Sequence, residues 1–364
     1  MHVIPTNNVD EALQTGLQLL LRKGTQRDSR NGPVMVMRGP VTTIFLEPTH
    51  RVLRWPARDA NPFFHLHEAL WMLSGGHDVR SVSQYVKRME DFSDDGESLH
   101  GAYGYRWRRK FGLDQLEIII SRLRDDPNDR RCVLQMWDAR ADLGVNTKDA
   151  PCNTHIYFSR DERGDLDMSV CCRSNDMIWG AYGANVVHFS VLQEFMASAI
   201  GCGLGSYWQI SNNYHAYARV FEPLCQEYCQ DERDVSIWTD SYSELFHQGD
   251  WEPTPLVNTS HENWTVELAN YMSWSRPVED VTSLMPFPAL TDPFFRCVAL
   301  PMRLSYQLYL KSRQLDSPAL RSEVLQLARV VLSDNREKSP FPRSDWLQAG
   351  EEWLQRRLFA LEEN

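Results

Sequence analysis

Apolar residues recur along this chain with two different periods, and the period in force changes from segment to segment. From Asn8 to Lys23, Leu13, Leu17, Leu20 and Leu21 share one face and Gly24 follows, which predicts an amphipathic helix with a glycine stop. Phe63 to Ser74 reads as an apolar helix ending at Gly75-Gly76, Gln115 to Arg124 as a second helix, and Ala184 to Ile200 as a long buried one broken by Gly201 to Gly205. Strand-like runs fall at Val34 to Met37, Cys132 to Trp137, Thr154 to Ser159, Leu166 to Cys172 and Tyr207 to Ser211. The turn Arg160 to Asp165 joins the third and fourth of these, predicting a hairpin. Trp251 to Pro288, rich in proline, tryptophan and polar residues, predicts an irregular segment, and Asp292 to Arg313, Ser317 to Leu332 and Ser344 to Leu361 predict amphipathic helices. The expected division is a first part over 1–230, a connecting segment over 231–290 and a helical extension over 291–364.

Composition narrows the class. With 364 residues, 42% hydrophobic residues and twelve tryptophans, the chain has material for a large core. A formal charge of −11 argues against a general nucleic-acid-binding surface while leaving room for a local basic pocket. The eight cysteines are too sparse for a disulfide scaffold and form no CxxC pair: Cys171 and Cys172 are adjacent, and Cys225 and Cys229 lie four apart. No metal site is expected, and reduced thiols point to a cytoplasmic home. The start of the chain, Met1 to Pro5, has no charged-then-apolar leader, and no apolar run reaches membrane-spanning length.

The chemistry concentrates between Asp129 and Tyr217. At its centre lie Asp149-Ala150-Pro151-Cys152-Asn153 and Cys172-Arg173-Ser174-Asn175-Asp176, with Arg130-Arg131 upstream and Asn212-Asn213-Tyr214-His215-Ala216-Tyr217 downstream. Guanidinium groups bind phosphate oxygens bidentately, so three arginines and a serine suit a phosphate. A cysteine beside them suits a nucleophile whose thiolate is favoured by the positive field. The residues alone describe a cysteine enzyme acting on a phosphorylated small molecule.

In that order, Pro-Cys, Arg-Ser-x-Asp and His-x-Tyr resemble the signature of the thymidylate synthase and pyrimidine hydroxymethylase superfamily, and the resemblance covers roughly Arg30 to Pro223. It implies an α/β (α+β) fold, a mixed sheet flanked by helices, here with the helical C-terminal extension. It implies Cys152 as the nucleophile that adds to C6 of a pyrimidine, activating C5 toward an electrophilic one-carbon unit, with Arg173 helping to hold the thiolate. It implies Arg30 at the substrate phosphate, Ser174 as the serine common to members specific for deoxynucleotides over ribonucleotides, and Arg130 and Arg131 reaching the neighbour's phosphate across a two-fold interface, so that a homodimer is required. By the same resemblance Glu68 relays protons through water, Tyr103 takes part in removing the C5 proton, and His215 and Tyr217 hold the deoxyribose hydroxyl. Asp176 matches the residue that hydrogen-bonds the pterin, which makes 5,10-methylenetetrahydrofolate the expected co-substrate.

Base and outcome remain to be chosen. The family reads uracil with an asparagine and cytosine with an aspartate; Asn185 stands in the corresponding segment, one residue later than the usual spacing, and no acid occurs between Met177 and Gln193. That favours dUMP over dCMP. In the last step a synthase delivers hydride and a hydroxymethylase admits water. Met89 stands where a shielding tryptophan is typical, Asn153 replaces the usual histidine after the cysteine, and the chain ends Phe359-Ala360-Leu361-Glu362-Glu363-Asn364 without a short apolar tail. All three departures favour water, hence a dUMP hydroxymethylase. The alternatives are a thymidylate synthase, a dCMP hydroxymethylase, and a non-catalytic nucleotide- or folate-binding protein.

Overall fold

The structure is a computed structural model that describes residues 1–229, 251–274 and 290–362. Ten strands are present among the described residues: β1 (His2–Thr6), β2 (Thr25–Arg27), β3 (Val34–Val36), β4 (Val41–Phe45), β5 (Val133–Gln135), β6 (Asn153–Arg160), β7 (Leu166–Cys172), β8 (Asn175–Asp176), β9 (Leu204–Ser211) and β10 (Tyr214–Tyr217). Six form a mixed sheet in the order β1-β4-β9-β7-β6-β5, and four form a smaller sheet in the order β2-β3-β10-β8. Residues 1–60 and 71–229 make one compact unit; residues 61–70 and the described residues from 251 onward make another.

In the first unit, β7 and β9 alternate strictly. Met168, Val170 and Cys172 on one strand and Tyr207, Gln209 and Ser211 on the other are buried, beneath the helix Asn185–Ile200. The opposite face of the same strands, with Cys171, Trp208 and Ile210, is half-exposed. The predicted hairpin is present as β6 and β7, paired antiparallel with Asn153 opposite Cys172. Helix Val9–Lys23 is capped by the Asn8 side chain, which accepts from Glu11 N, and ended by Gly24. A buried ion pair braces the Tyr103 region: Arg106 and Asp142, both without exposed side-chain surface, meet at 2.8 Å, and Arg106 also donates to Met136 O and His100 O.

Several expectations need correction. The break read at Gly201 to Gly205 is shorter: Gly201 ends the helix at φ +83°, but β9 already starts at Leu204. Gly205 lies within that strand, and the position has no room for a side chain, since a Cβ there would lie 2.3 Å from Asp167 Oδ1. Strand β1 was not foreseen. The charged loop after Gly24 contributes a strand, β2, so Arg30 sits at the tip of a β2–β3 hairpin.

The second unit contains helices His261–Ser273, Leu300–Ser312, Pro318–Lys338 and Asp345–Glu362. Phe63 meets Tyr306 at a tilt, 5.3 Å between ring centres, and Trp353 edge-on at 5.5 Å. The three C-terminal helices lie where the amphipathic pattern placed them. The first helix overturns part of the irregular segment expected over Trp251 to Pro288. Ser260 caps it, and Trp264, Leu268 and Tyr271 are buried one turn apart. The polar Glu267 between them hid the pattern; its carboxylate is buried and accepts from the backbone of Thr291 and Asp292. Residues 275–288, the junction expected at 230/231 and the last two residues of the chain end lie outside the described residues.

Candidate active site

The register of β6 and β7 sets the site. With Asn153 opposite Cys172, the residues just before and just after that pair, Cys152 and Arg173, are joined by Arg173 N–H donating to Cys152 O at 2.9 Å. The Arg173 side chain then clamps the Pro-Cys turn: Nε donates to Pro151 O at 2.9 Å and Nη2 to Ala150 O at 3.0 Å, with Nη2 3.9 Å from Cys152 Sγ. The guanidinium also lies over the Trp137 ring, 5.6 Å from its centre, on a residue that is exposed overall. Burial pushes the Cys152 thiol above its ordinary pKa; Arg173 opposes that shift and Asp149 adds to it. Arg173 thus acts in the expected direction, toward the thiolate, against the larger effect of desolvation.

Tyr103 anchors the other side of the cysteine. Its hydroxyl oxygen accepts from Cys152 N at 3.2 Å, Asn153 N at 3.3 Å and Asn153 Nδ2 at 2.9 Å. With three donors converging on this oxygen, its own proton is directed elsewhere. Enclosure holds the phenol well above its usual pKa. Asn153 is fully buried; its Nδ2 also lies 3.5 Å from Asn185 Oδ1, and its Oδ1 is enclosed with no hydrogen-bond partner among the described residues.

Asn185 reaches this cluster despite its late position. Residues Met177–Ala184 form a π-helical stretch directly before the helix Asn185–Ile200. Such a turn absorbs one extra residue within a helix, and it delivers the Asn185 side chain to Asn153 on one side and Asn175 on the other. Asp176 caps the stretch, its Oδ1 accepting from Ile178 N and Trp179 N at 2.8 and 2.7 Å. Its Oδ2 is buried, and desolvation raises the pKa of the carboxyl against the backbone N–H of Trp179, His215, and the backbone N–H groups of Ile178 and Tyr217.

The small sheet assembles the rest. β8 and β10 pair in parallel with His215 opposite Asp176, and β10 pairs with β3. His215 Nδ1 lies 3.2 Å from Asn213 O, Asn213 Nδ2 donates to Ser174 Oγ at 3.0 Å, and Asn31 Nδ2 donates to Tyr217 Oη at 3.3 Å. That last contact ties the hairpin tip carrying the exposed Arg30 to the strand of His215 and Tyr217.

The same region of the chain gives the clearest match to known proteins. The thymidylate synthase family model matches residues 15–247. The chain belongs to the thymidylate synthase family. It is 44% identical over 364 residues to the deoxyuridylate hydroxymethyltransferase of Pseudomonas phage M6, covering all of this chain and 96% of that protein. It is 36% identical over 229 residues to the protein of the same name from Bacillus phage SP01, covering 58% of this chain and 60% of that one. A third relative of that name, from Delftia phage PhiW-14, is 30% identical over 244 residues, 64% of this chain and 66% of its own.

Four more expected residues of this thymidylate synthase family chain make none of the hydrogen bonds described above. Arg130 and Arg131 are exposed at the start of the edge strand β5, Arg131 pairing with Asp129 at 2.9 Å and holding that carboxyl well below the usual range. Because Phe158 N–H donates to Cys132 O, the pair lies about 20 Å along the sheet from Cys152 of its own chain. Glu68 is buried on the helix Pro62–Leu73 and belongs to the second unit. Met89 is half-buried on the short helical segment Lys87–Phe92. Two features were not foreseen. Asn175, the variable position of Arg-Ser-x-Asp, is buried at the centre of the amides, a burial no spacing rule reveals. Arg58 is buried with its guanidinium 3.9 Å over the Trp179 ring and Nε donating to Ile178 O; burial lowers its pKa to about 10 against the opposing charge of Asp176.

Only the thiolate is alkylated, and it exists above the pKa. Since burial raises that pKa above the ordinary 9.0, iodoacetamide labelling of Cys152 in the free protein, read by peptide mass spectrometry, rises about tenfold per pH unit through pH 9. Arg173→Ala moves the midpoint higher still. A midpoint below the ordinary thiol value contradicts the assignment.

Proposed function

We propose that the protein is a deoxyuridylate hydroxymethylase, converting dUMP, 5,10-methylenetetrahydrofolate and water to 5-hydroxymethyl-dUMP in the host cytoplasm. The observation that carries this reading is Asn153: its NH2 group is held by Tyr103 and turned toward Asn185, while its carbonyl oxygen lies buried and unpartnered beside the nucleophile. An enclosed acceptor without a partner is costly unless something fills it, and a reacting water does. The full-length similarity to the Pseudomonas phage M6 protein supports the same reaction.

The residues present fit the folate. Asp176 Oδ2 is a buried carboxylate acceptor, suited to an N–H of the pterin. Methylenetetrahydrofolate supplies the one-carbon unit; the chain supplies the rest. The Cys152 thiolate adds to C6, and the electron pair moves to the O4 enolate. Asn185 donates to O4 and accepts from N3–H. The Tyr103 oxygen, gathered by three N–H groups, participates in removing the C5 proton. Arg30, Arg173 and Ser174 hold the phosphate, His215 and Tyr217 the deoxyribose hydroxyl, and Glu68 relays protons through water. Water, donating to Asn153 Oδ1, bonds to the exocyclic methylene carbon left on C5 once the C5 proton and tetrahydrofolate have gone, and passes its released proton to the relay through Glu68. The electron pair returns to C5, C5=C6 re-forms, and the Cys152 thiolate leaves. Met89, in place of a shielding tryptophan, leaves that carbon open to water.

The product distinguishes this from thymidylate synthesis. With dUMP and methylenetetrahydrofolate, a product about 30 mass units above dUMP and no dihydrofolate absorbance is expected; about 14 units with dihydrofolate formed establishes a synthase instead. Met89→Trp combined with Asn153→His is expected to shift product toward thymidylate.

We further propose a homodimer in which Arg130 and Arg131 serve the neighbour's site. Their distance from Cys152 within one chain supports this, as does the half-exposed sheet face carrying Trp208, Ile210 and Tyr157. Cys152→Ser and the double variant Arg130→Ala/Arg131→Ala are each inactive alone. Mixed and refolded together, they regain roughly a quarter of wild-type activity, because one site of each mixed dimer is intact. Arginines acting within their own chain give no recovery.

A further inference from the structure

An amide side chain carries a donor and an acceptor that exchange places when it turns over. In one orientation Asn185 matches uracil, donating to O4 and accepting from N3–H. Turned over, it matches cytosine, donating to N3 and accepting from the N4 amine. An asparagine therefore separates dUMP from dCMP only if its orientation is held.

A buried relay holds it. Gln209 Nε2 donates to the backbone carbonyl of Ala181 at 3.3 Å and to Tyr207 Oη at 2.7 Å. A carbonyl has no proton to give, so this end of Gln209 is its NH2 group and Oε1 faces Asn175. Asn175 must then present Nδ2, which donates to Gln209 Oε1 and Ser211 Oγ, both at 2.9 Å. Both of its amide hydrogens are now engaged, leaving Oδ1 to accept from Asn185 Nδ2 at 3.1 Å. From the other side Asn153 Nδ2 faces Asn185 Oδ1 at 3.5 Å. Turning Asn185 over sets carbonyl against carbonyl at Asn175 and amine against amine at Asn153. Gln209 and Asn175 are 1% and 2% exposed, so water does not substitute for these contacts. Gly180 makes the room: a Cβ there would lie 2.6 Å from Asn175 Oδ1.

We propose that Asn175 and Gln209 are specificity-determining positioning residues, locking Asn185 in the uracil-reading orientation and so excluding dCMP. The inference rests on Asn185 as the base contact. Its test is kcat/KM for dUMP and for dCMP in the full-length Asn175→Ala and Gln209→Leu variants. The expected result is a fall of at least about tenfold in the preference for dUMP, with kcat/KM for dCMP rising in absolute terms, which structural damage does not produce. A parallel fall on both substrates overturns the lock. Gln209→Leu keeps the side-chain volume and tests the lock from its far end if Asn175→Ala does not fold. Asn185→Asp separates the two layers. If it shifts preference toward dCMP while the relay variants do not, the base reading stands and the lock fails; if it shifts nothing, the base reading itself fails.

Discussion

The pairing of Asn153 with Cys172 is the constraint on which the site depends. A slip of one residue between β6 and β7 would turn every side chain of one strand to the other face. Cys152 would lose Arg173, and Asn153 would leave the buried side of the sheet. Ile156 and Phe158 on β6 with Met168 and Val170 on β7 fix the register of the hairpin, and an irregularity in the pairing between Asn153 and His155 brings Asn153, three residues before Ile156, to the buried face. Core packing therefore decides where the nucleophile, its clamp and its amide neighbour stand.

Around that pair the protein uses buried neutral polar groups more than charge. The exposed Arg173 does not overcome the desolvation of the thiol, and Tyr103 is held by three N–H donors, not by a cation. Asn153, Asn185, Asn175 and Gln209 form a connected set of amides in which each orientation is dictated by the next. Such a network is strong when fully satisfied and conspicuous where it is not. Among the described residues, Asn153 Oδ1 is a buried acceptor left open beside the nucleophile, and on the proposed reading that is where the reacting water sits.

Much of this was legible in the residues, for identifiable reasons. The β6–β7 hairpin follows from strand alternation on either side of a turn and the helix Asn185–Ile200 from a long apolar run, while Cys152, Arg173 and Asp176 were picked out because their motifs, in that order, resemble a family signature. What was not legible depends on contacts between distant segments. The late position of Asn185 looked like a flaw, and only the π-helical stretch Met177–Ala184 shows how the extra residue is absorbed. The state of the Cys152 thiol depends on how deeply the fold buries it, which charge counting near Arg173 does not reveal. Gly205 read as a breaker because the side chain that fills its space, Asp167, comes from another strand. Helix His261–Ser273 was hidden because its buried Glu267 satisfies its carboxylate with backbone amides that lie outside the helix.

The central claim is that water, and not hydride, completes the reaction beside Asn153. Turnover of dUMP in oxygen-18 water, with the nucleotide product analysed by mass spectrometry, tests it most directly. The account predicts one heavy oxygen in the product, carried on the new C5 substituent. A product that acquires no heavy oxygen and bears a methyl group would contradict it.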